Sequence, residues 1–175
     1  MTGPANAQLA RIDVPGGGTI LAPKGYAIER QVQKSLWRGA VTLFRKMRTV
    51  IGGHVECDGI INVCRREAYE DLDTFCQAMD GAGTTRWEHG DLKPGWTSWD
   101  DEKFPIAYTS GPLGLERVQE LHLTGFGWLK PRTYQGWRVG FELPQLWLQA
   151  WVMQKHGGVR EAHKLAGEVA ASYRA

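Results

Sequence analysis

The chain has 175 residues, of which 42% are hydrophobic and 23% are charged, and its formal net charge is +2. This length and composition exclude a disordered chain and fit one ordinary domain with a core of its own. No run approaches the about 20 apolar residues of a membrane-spanning helix. The N-terminus has no charged region followed by an apolar one, so we expect a cytoplasmic protein that makes no contact with a membrane.

The charges are segregated along the chain. Residues 1–66 carry ten Lys/Arg against four Asp/Glu, residues 67–102 carry two against ten, and residues 103–175 carry nine against five, so the net charges are +6, −8 and +4. Two interpretations remain open. Either the basic ends form a surface for a polyanion, or they pair with the acidic middle of the same chain.

The cysteines Cys57, Cys64 and Cys76 are odd in number and do not form the pattern of a disulfide framework. Structural zinc sites use paired ligands such as Cys-x₂-Cys, and His54 with Cys57 is the only close pair among these residues. We therefore predict reduced thiols that are partly buried, with neither a metal nor a cofactor.

In chain order, we predict a flexible tail over residues 1–10 and a single domain over residues 11–175. Residues 11–14 and 19–21 are predicted strands on either side of the turn Pro15-Gly16-Gly17-Gly18.

Residues 26–51 are predicted to form an amphipathic helix that ends at Gly52-Gly53. At about 100° per residue, its apolar side chains occupy one arc and its cations occupy the opposite arc. The cations of this basic ridge are Arg30, Lys34, Arg38, Arg45 and Arg48.

The next elements are predicted as a hairpin and a second helix. Asp58-Gly59, between the apolar runs 54–57 and 60–64, is typical of a tight hairpin turn. Residues 66–79 have the apolar spacing of a helix, with acidic residues in the first turn. Residues 81–105 are predicted as a loop.

Residues 104–109 are predicted as a strand, and residues 113–123 fit a helix or a strand. Residues 126–130 and 136–143 indicate a second hairpin. Pro144 is predicted to open a helix over the apolar run 146–153, in which Trp147 and Trp151 form part of the core or an interface. Residues 159–173 form the last predicted helix. Together these elements predict an α+β fold, an antiparallel sheet of short hairpins with about four helices packed on it.

The segment His89-Gly90-Asp91-Leu92-Lys93-Pro94-Gly95 resembles the catalytic loop of protein kinases and aminoglycoside phosphotransferases. The resemblance covers seven residues. Trp96 stands where the magnesium-binding Asn is expected, and no Asp-Phe-Gly follows. We therefore interpret the segment as a turn bent by its Pro and Gly.

A second basic patch, with an aromatic residue, is predicted on the second hairpin. It consists of Lys130, Arg132, Tyr134 and Arg138. Charge combined with stacking is typical of proteins that bind single-stranded nucleic acid. We expect a non-enzymatic accessory protein that uses the basic helix and this patch to engage nucleic acid, or an acidic surface of a nucleic-acid-handling protein. By analogy, such a chain suits an inhibitor or accessory factor of a mobile genetic element.

Two alternatives stay open. The first is a structural or assembly subunit of a larger complex, such as a virion or secretion particle, in which Trp-rich and charged surfaces join neighbouring chains or a homo-oligomer. The second is a small enzyme whose site is assembled from scattered residues. No hydrolase, metalloprotease or dinucleotide-binding motif is present in the sequence, which favours a protein that is not an enzyme.

Overall fold

The structure, a computed structural model, describes residues 10–28, 36–37, 39–49, 55–80, 92–94, 98–99, 105–126 and 131–175. Within these residues the chain forms a two-stranded sheet, a ten-stranded sheet and two α-helices. The strands are β1 (Arg11–Asp13), β2 (Thr19–Leu21), β3 (Tyr26–Ala27), β4 (Leu36–Trp37), β5 (Ala40–Thr49), β6 (Val55–Arg65), β7 (Leu92–Pro94), β8 (Ser98–Trp99), β9 (Ile106–Gly111), β10 (Gly114–Phe126), β11 (Pro131–Glu142) and β12 (Leu146–Met153). The helices are α1 (Leu72–Asp80) and α2 (Val159–Ser172).

Five long antiparallel strands form the centre of the large sheet, in the order β5–β6–β12–β11–β10. β5 and β6 form one hairpin, β10 and β11 form another, and β12 inserts between the two. The short strands β3 and β4 pair with β5, β7 runs parallel to β6, and β8 and β9 pair with β10. The last long strand in the sequence is therefore central in the sheet.

A helix packs on each side of this sheet. α2 and the β1–β2 hairpin cover one side, which we call the α2 face, and the core there includes Val41, Ile61, Leu148 and Val139. α1 covers part of the other side, the α1 face, where Phe75 and Met79 pack with Cys64 and Trp147. Because successive residues of a strand point to opposite faces, β5, β6 and β12 contribute apolar side chains to both cores.

The prediction of about four helices is wrong, because the described residues contain two α-helices and are otherwise mostly sheet. The predicted basic helix over residues 26–51 is replaced by strands β3, β4 and β5 wherever the structure describes it. The run Ala40-Val41-Thr42-Leu43-Phe44 is buried on both sides of the sheet. Such a run shows no alternation of apolar and polar residues, and periodicity alone cannot distinguish it from a helix.

The same reason explains the second error. The predicted helix after Pro144 is strand β12, and all eight of its residues are buried. Trp147 and Trp151 are each 2% exposed, so both are core residues, as one of the two interpretations predicts. The Asp58-Gly59 pair lies inside β6, opposite an irregularity in β5 at Arg45 and Lys46.

Other predicted elements are confirmed. β1 and β2 pair around the glycine turn, where Gly16, Gly17 and Gly18 all have positive φ. The last helix is α2, and residues 114–123, for which a helix and a strand were both open, lie in strand β10. The second hairpin exists as β10–β11, but its predicted bounds are wrong: its first strand is Gly114–Phe126, and residues 131–135, between the two predicted strands, are the start of β11. The predicted helix over residues 66–79 divides into a 3-10 turn, Arg66–Ala68, and α1. Apart from Ala10, the predicted tail lies outside the described residues, and no helix in the described part of the chain is long and apolar enough to cross a membrane.

Candidate nucleic-acid interface

Both long hairpins extend past the point where β12 stops pairing. β12 pairs last with β6 at Trp151↔Ile60 and with β11 at Met153↔Gly136. Beyond these positions the β5–β6 hairpin continues to Thr49↔Val55, and the β10–β11 hairpin continues to Phe126↔Pro131. We call the described parts of these two extensions, residues 45–49 with 55–59 and residues 121–126 with 131–135, the ribbon end of the sheet.

Four of the predicted binding residues lie on the ribbon end. Arg45 is opposite Tyr26 and Gly59, and Arg48 is opposite Glu56. Arg132 is opposite Gly125 and Tyr134 is opposite Leu123 on the second hairpin. The fold thus places at one end of the sheet, on strands β5 and β11, residues that the sequence analysis assigned to a helix and to a separate hairpin.

The remaining predicted residues divide into two groups. Arg30, Lys34, Arg38 and Lys130 lie outside the described residues. Arg138 is described, and it is only 3% exposed. Its guanidinium faces α1 in the interior, so it does not contribute to an exposed basic patch.

The charge of the ribbon end is positive by sequence. Residues 45–59 and 121–135 together carry five Lys/Arg and two Asp/Glu, a net charge of +3. Residues 121–135 contain no acidic residue at all, and they include Phe126, Trp128 and Tyr134. A composition of this kind, with cations for phosphates and aromatic rings for bases, is typical of segments that bind single-stranded nucleic acid.

Further cations follow directly from β12. The chain leaves this strand through the 3-10 turn Gln154–His156 and enters α2 at Val159. Lys155 and Arg160 are exposed there. The N-terminus of α2 adds the positive end of its helix dipole close to these two cations.

Part of the acidic segment also reaches the ribbon end. β7 pairs with β6 at Val55–Cys57, and β8 pairs with β10 at Leu123 and Thr124. In the sequence these two short strands lie between Asp91 and Asp100. The acidic residues of segment 88–102 precede β7 or follow β8 in the sequence and lie outside the described residues.

A layer of buried polar side chains lies on the α1 face, inside the same strands. The residues of this polar layer are Thr42, Asn62, Arg117, Gln119, Arg138 and Gln149, each at most 6% exposed. Four of them share one row across the sheet, because the register is Thr42↔Asn62↔Gln149↔Gly140↔Arg117. Gly140 leaves space in this row, and the sulfur of Cys76 fills the place that a Cβ would take.

Hydrogen bonds connect the layer from strand to strand. The Thr42 hydroxyl donates to Asn62 Oδ1 at 2.7 Å, and Asn62 Nδ2 donates to Gln149 Oε1 at 3.4 Å. The Trp151 indole N–H donates to the same Gln149 oxygen at 2.8 Å. Buried polar groups of this kind are tolerated because their hydrogen-bonding capacity is used.

Asp80, at the end of α1, joins the layer to the helix. Its carboxylate accepts a hydrogen bond from Gln149 Nε2 at 2.8 Å and lies 3.2 Å from Arg138 Nη1. Arg117 Nη1 lies 3.8 Å from the other Asp80 oxygen. A carboxylate at the C-terminus of a helix is unfavourable on dipole grounds, and two guanidinium groups offset that cost here.

Arg117 and Arg138 have further partners in the layer. Arg117 Nε donates to Asp73 Oδ1 at 2.8 Å, and the Tyr108 hydroxyl donates to the same oxygen. Arg138 Nη2 donates to Gln119 Oε1 at 2.6 Å. Both arginines therefore act within the chain, anchoring α1 on the sheet.

A second buried carboxylate lies on the α2 face. Glu116 is 3% exposed, and its Oε2 lies 2.8 Å from Nε2 of His163 on α2. Its Oε1 is buried without a hydrogen-bond partner among the described residues. His163 also packs edge-on against Phe141, with ring centroids 5.7 Å apart. This pair connects α2 to β10.

The two described cysteines are buried thiols. Burial raises the pKa of Cys64 to about 12, and the neighbouring Cys76 contributes in the same direction. Burial likewise raises the pKa of Cys76 to about 12. Nucleophilic cysteines need a lowered pKa, so this arrangement suits packing. No group of three or more His, Cys, Asp or Glu in the described residues is placed to hold a metal ion.

No protein-family model matches the chain, and neither a curated protein nor a solved structure matches it.

Sequence reasoning missed the polar layer, although a signal for it exists. Thr42, Asn62 and Gln149 each interrupt an apolar run near its middle. If these runs are assigned to helices, the three polar residues are not predicted to lie next to one another. Had these runs been interpreted as adjacent buried strands, one polar residue in each would have indicated a row across the sheet.

Proposed function

We propose that the chain is a non-enzymatic protein of the cytoplasm that binds single-stranded nucleic acid at the ribbon end of its sheet. The observation that supports this most directly is the register of β10 and β11, which places Arg132 and Tyr134 on a ribbon past the last pair with β12. The ribbon residues 121–135 carry cations and aromatic rings and no acid.

The binding mechanism is charge neutralisation combined with base stacking. Arg48, Lys130 and Arg132 supply cations from both hairpins, and release of counterions from the nucleic acid provides most of the free energy. Tyr134 supplies an aromatic ring, which contributes about 1–3 kcal/mol per stacked base in proteins of this class. Recognition by charge and stacking needs no base-specific hydrogen bonds, so we expect weak sequence preference.

We expect the acidic residues that flank β7 and β8 in the sequence to weaken this binding. They reduce the local potential at the ribbon end, so an external strand must compete with them for the same cations. This arrangement favours moderate affinity and a steep dependence on salt.

The direct test is fluorescence anisotropy of a labelled single-stranded oligonucleotide at several salt concentrations. We expect the affinity to fall steeply with salt. The double variant Lys130→Ala/Arg132→Ala should weaken binding at least tenfold and reduce the slope of log K against log salt by about 1.4, because each lost phosphate contact contributes about 0.7 on single strands.

The matched control is Lys164→Ala/Arg174→Ala, which removes the same charge from exposed positions on and just after α2. This control should bind within about threefold of the unsubstituted protein, since general electrostatic attraction changes equally in both variants. Equal losses in the two double variants, or a flat response to salt, would reject the ribbon end as the binding site.

A further inference from the structure

The exposed apolar side chains of the described residues gather on one hairpin. Ile106, Tyr108 and Leu115 are the large hydrophobic residues that remain exposed, at 37%, 50% and 38%. All three belong to strands β9 and β10, which are joined by the tight connection Pro112-Leu113. Single exposed apolar residues are normal on a protein surface, but a cluster on one element indicates a contact.

The register places these three residues on one face. Ile106 is opposite Gln119, Tyr108 is opposite Arg117, and Leu115 is opposite Ser110. Arg117 and Gln119 belong to the polar layer, so the cluster lies on the α1 face. It forms an apolar patch beside α1, at the edge of the sheet. The Tyr108 ring is held in place because its hydroxyl donates to Asp73, which Arg117 fixes in turn.

β9 is also an edge strand. Among the described strands it pairs only with β10, so its outer side presents backbone N–H and C=O groups for another strand. Its six residues, Ile-Ala-Tyr-Thr-Ser-Gly, carry no charge. Natural edge strands are usually protected from pairing by lysine, by inward-pointing charges or by a covering element. β9 itself contains no charged residue that would protect its edge from pairing.

We propose that β9 pairs antiparallel with β9 of a second copy of this chain, which joins two sheets across a two-fold axis. Antiparallel pairing keeps the α1 face on the same side in both copies, so the two apolar patches become neighbours. The uncharged strand meets an identical strand without like-charge repulsion, whereas a charged partner peptide would find no complementary charge on it. Six paired residues extend over about 20 Å, which fits a reversible dimer.

The dimer is independent of nucleic-acid binding. β9 pairs with Gly114–Gln119, whereas the ribbon end begins at Leu121 on the same strand. Substitutions in β9 therefore leave the predicted phosphate contacts unchanged. A dimer presents two ribbon ends, so dissociation should lower only the apparent affinity for long strands.

Sedimentation equilibrium over a wide range of protein concentration tests the proposal. We expect the unsubstituted chain to dimerise reversibly, and both Ile106→Lys and Ala107→Lys to weaken dimerisation at least tenfold. Ile106→Lys adds a positive charge to the apolar patch on the α1 face. Ala107→Lys adds a positive charge to the same edge strand, on the α2 face. Ala171→Lys, at an exposed position on α2, is the matched control and should dimerise normally.

Amide hydrogen exchange provides a readout that does not depend on any variant. In the unsubstituted chain, exchange at residues 106–111 should slow as the protein concentration rises, while exchange in α2 stays constant. A monomer at all concentrations would overturn the proposal, and so would a dimer in which exchange of β9 is unchanged. Capture of an extended peptide by a chain that stays monomeric would also overturn it.

Discussion

The guanidinium of Arg138 lies 3.2 Å from the carboxylate of Asp80, and their side chains are only 3% and 21% exposed. Arg138 is on β11 and Asp80 is the last residue of α1. From the sequence, Arg138 is expected to bind phosphate at the surface, because Lys130, Arg132 and Tyr134 precede it. In the folded chain it instead holds the end of a helix on the sheet, and this has measurable consequences.

Removing Asp80 should destabilise the protein strongly. Asp80→Ala leaves the buried Arg138 without its carboxylate, and loss of one partner from a buried ion pair costs about 3 kcal/mol or more. Asp80→Asn should cost less, since an amide oxygen can still accept the hydrogen bond from Gln149. Urea unfolding monitored by circular dichroism measures both. Glu168→Ala, at an exposed position on α2, is the control, and an equal effect at that position would contradict the structural role of Asp80.

His163→Ala should reduce the free energy of unfolding by about 2 kcal/mol. Among the described residues, the substitution leaves the buried Glu116 carboxylate with one side-chain hydrogen-bond donor, the Thr109 hydroxyl at 3.4 Å, and an unsatisfied buried polar group carries a desolvation cost. A double variant, Glu116→Gln/His163→Ala, should lose less than the sum of the single variants, because the two side chains interact. If the two single losses in the free energy of unfolding add exactly, the interaction between Glu116 and His163 does not contribute to stability.

Gly140→Ala tests the packing of α1 against β11. A methyl group on Gly140 would overlap the sulfur of Cys76 and lie 3.2 Å from Leu72 Cδ1, so we expect a loss of about 1–3 kcal/mol from overpacking. Cys76→Ala removes the overlapping sulfur and should restore part of that loss in the double variant. The measurement is urea unfolding of the two single variants and the double variant. Absence of any rescue would show that the steric conflict is with another group.

The buried thiols predict resistance to alkylation and a loss of stability at alkaline pH. In a Cys57→Ser background, Cys64 and Cys76 should react with a thiol reagent at pH 8 far more slowly in the folded than in the unfolded protein. Their pKa values are raised from 9.0 to about 12 on folding. The contribution of these thiols to stability is therefore complete below pH 9 and is lost as the pH rises toward 12.

The control for the alkaline effect is Cys57→Ser/Cys64→Ala/Cys76→Ala, which lacks all three thiols. Its free energy of unfolding should fall less between pH 9 and pH 11 than that of Cys57→Ser. Equal slopes in the two proteins, or rapid alkylation of the folded protein at pH 8, would contradict burial of these thiols.

Neutralising the acidic segment should strengthen nucleic-acid binding. Asp100→Asn/Asp101→Asn removes two negative charges directly after β8, which pairs with the β10–β11 ribbon. We expect affinity for a single-stranded oligonucleotide to rise about threefold to tenfold at low salt, with a smaller gain at high salt because screening weakens the competition. Glu161→Gln/Glu168→Gln, which neutralises two acids on α2, is the control. An equal gain in the control would assign the effect to net charge alone.

The sequence by itself determined the elements whose signals are local. α2 has one apolar face and one polar face, because solvent covers its outer side. The β1–β2 hairpin has turn residues that are sufficient to predict it, and the alternating side chains of residues 136–143 predict the second half of β11. The hydrophobicity of residues 146–153 also predicted that Trp147 and Trp151 pack in the core or at an interface, and the structure buries both in the core.

Only the tertiary structure decided that Ala40–Thr49 and Leu146–Met153 are strands. β12 lies between β6 and β11 with α1 on one side and α2 on the other, so both of its faces are apolar and the period of two is lost from its sequence. The burial of Arg138 was decided in the same way, by α1 placing Asp80 against β11. A local pattern of apolar and polar residues indicates which face of an element is exposed to solvent. It therefore cannot distinguish a helix from a strand when both faces of the element are buried.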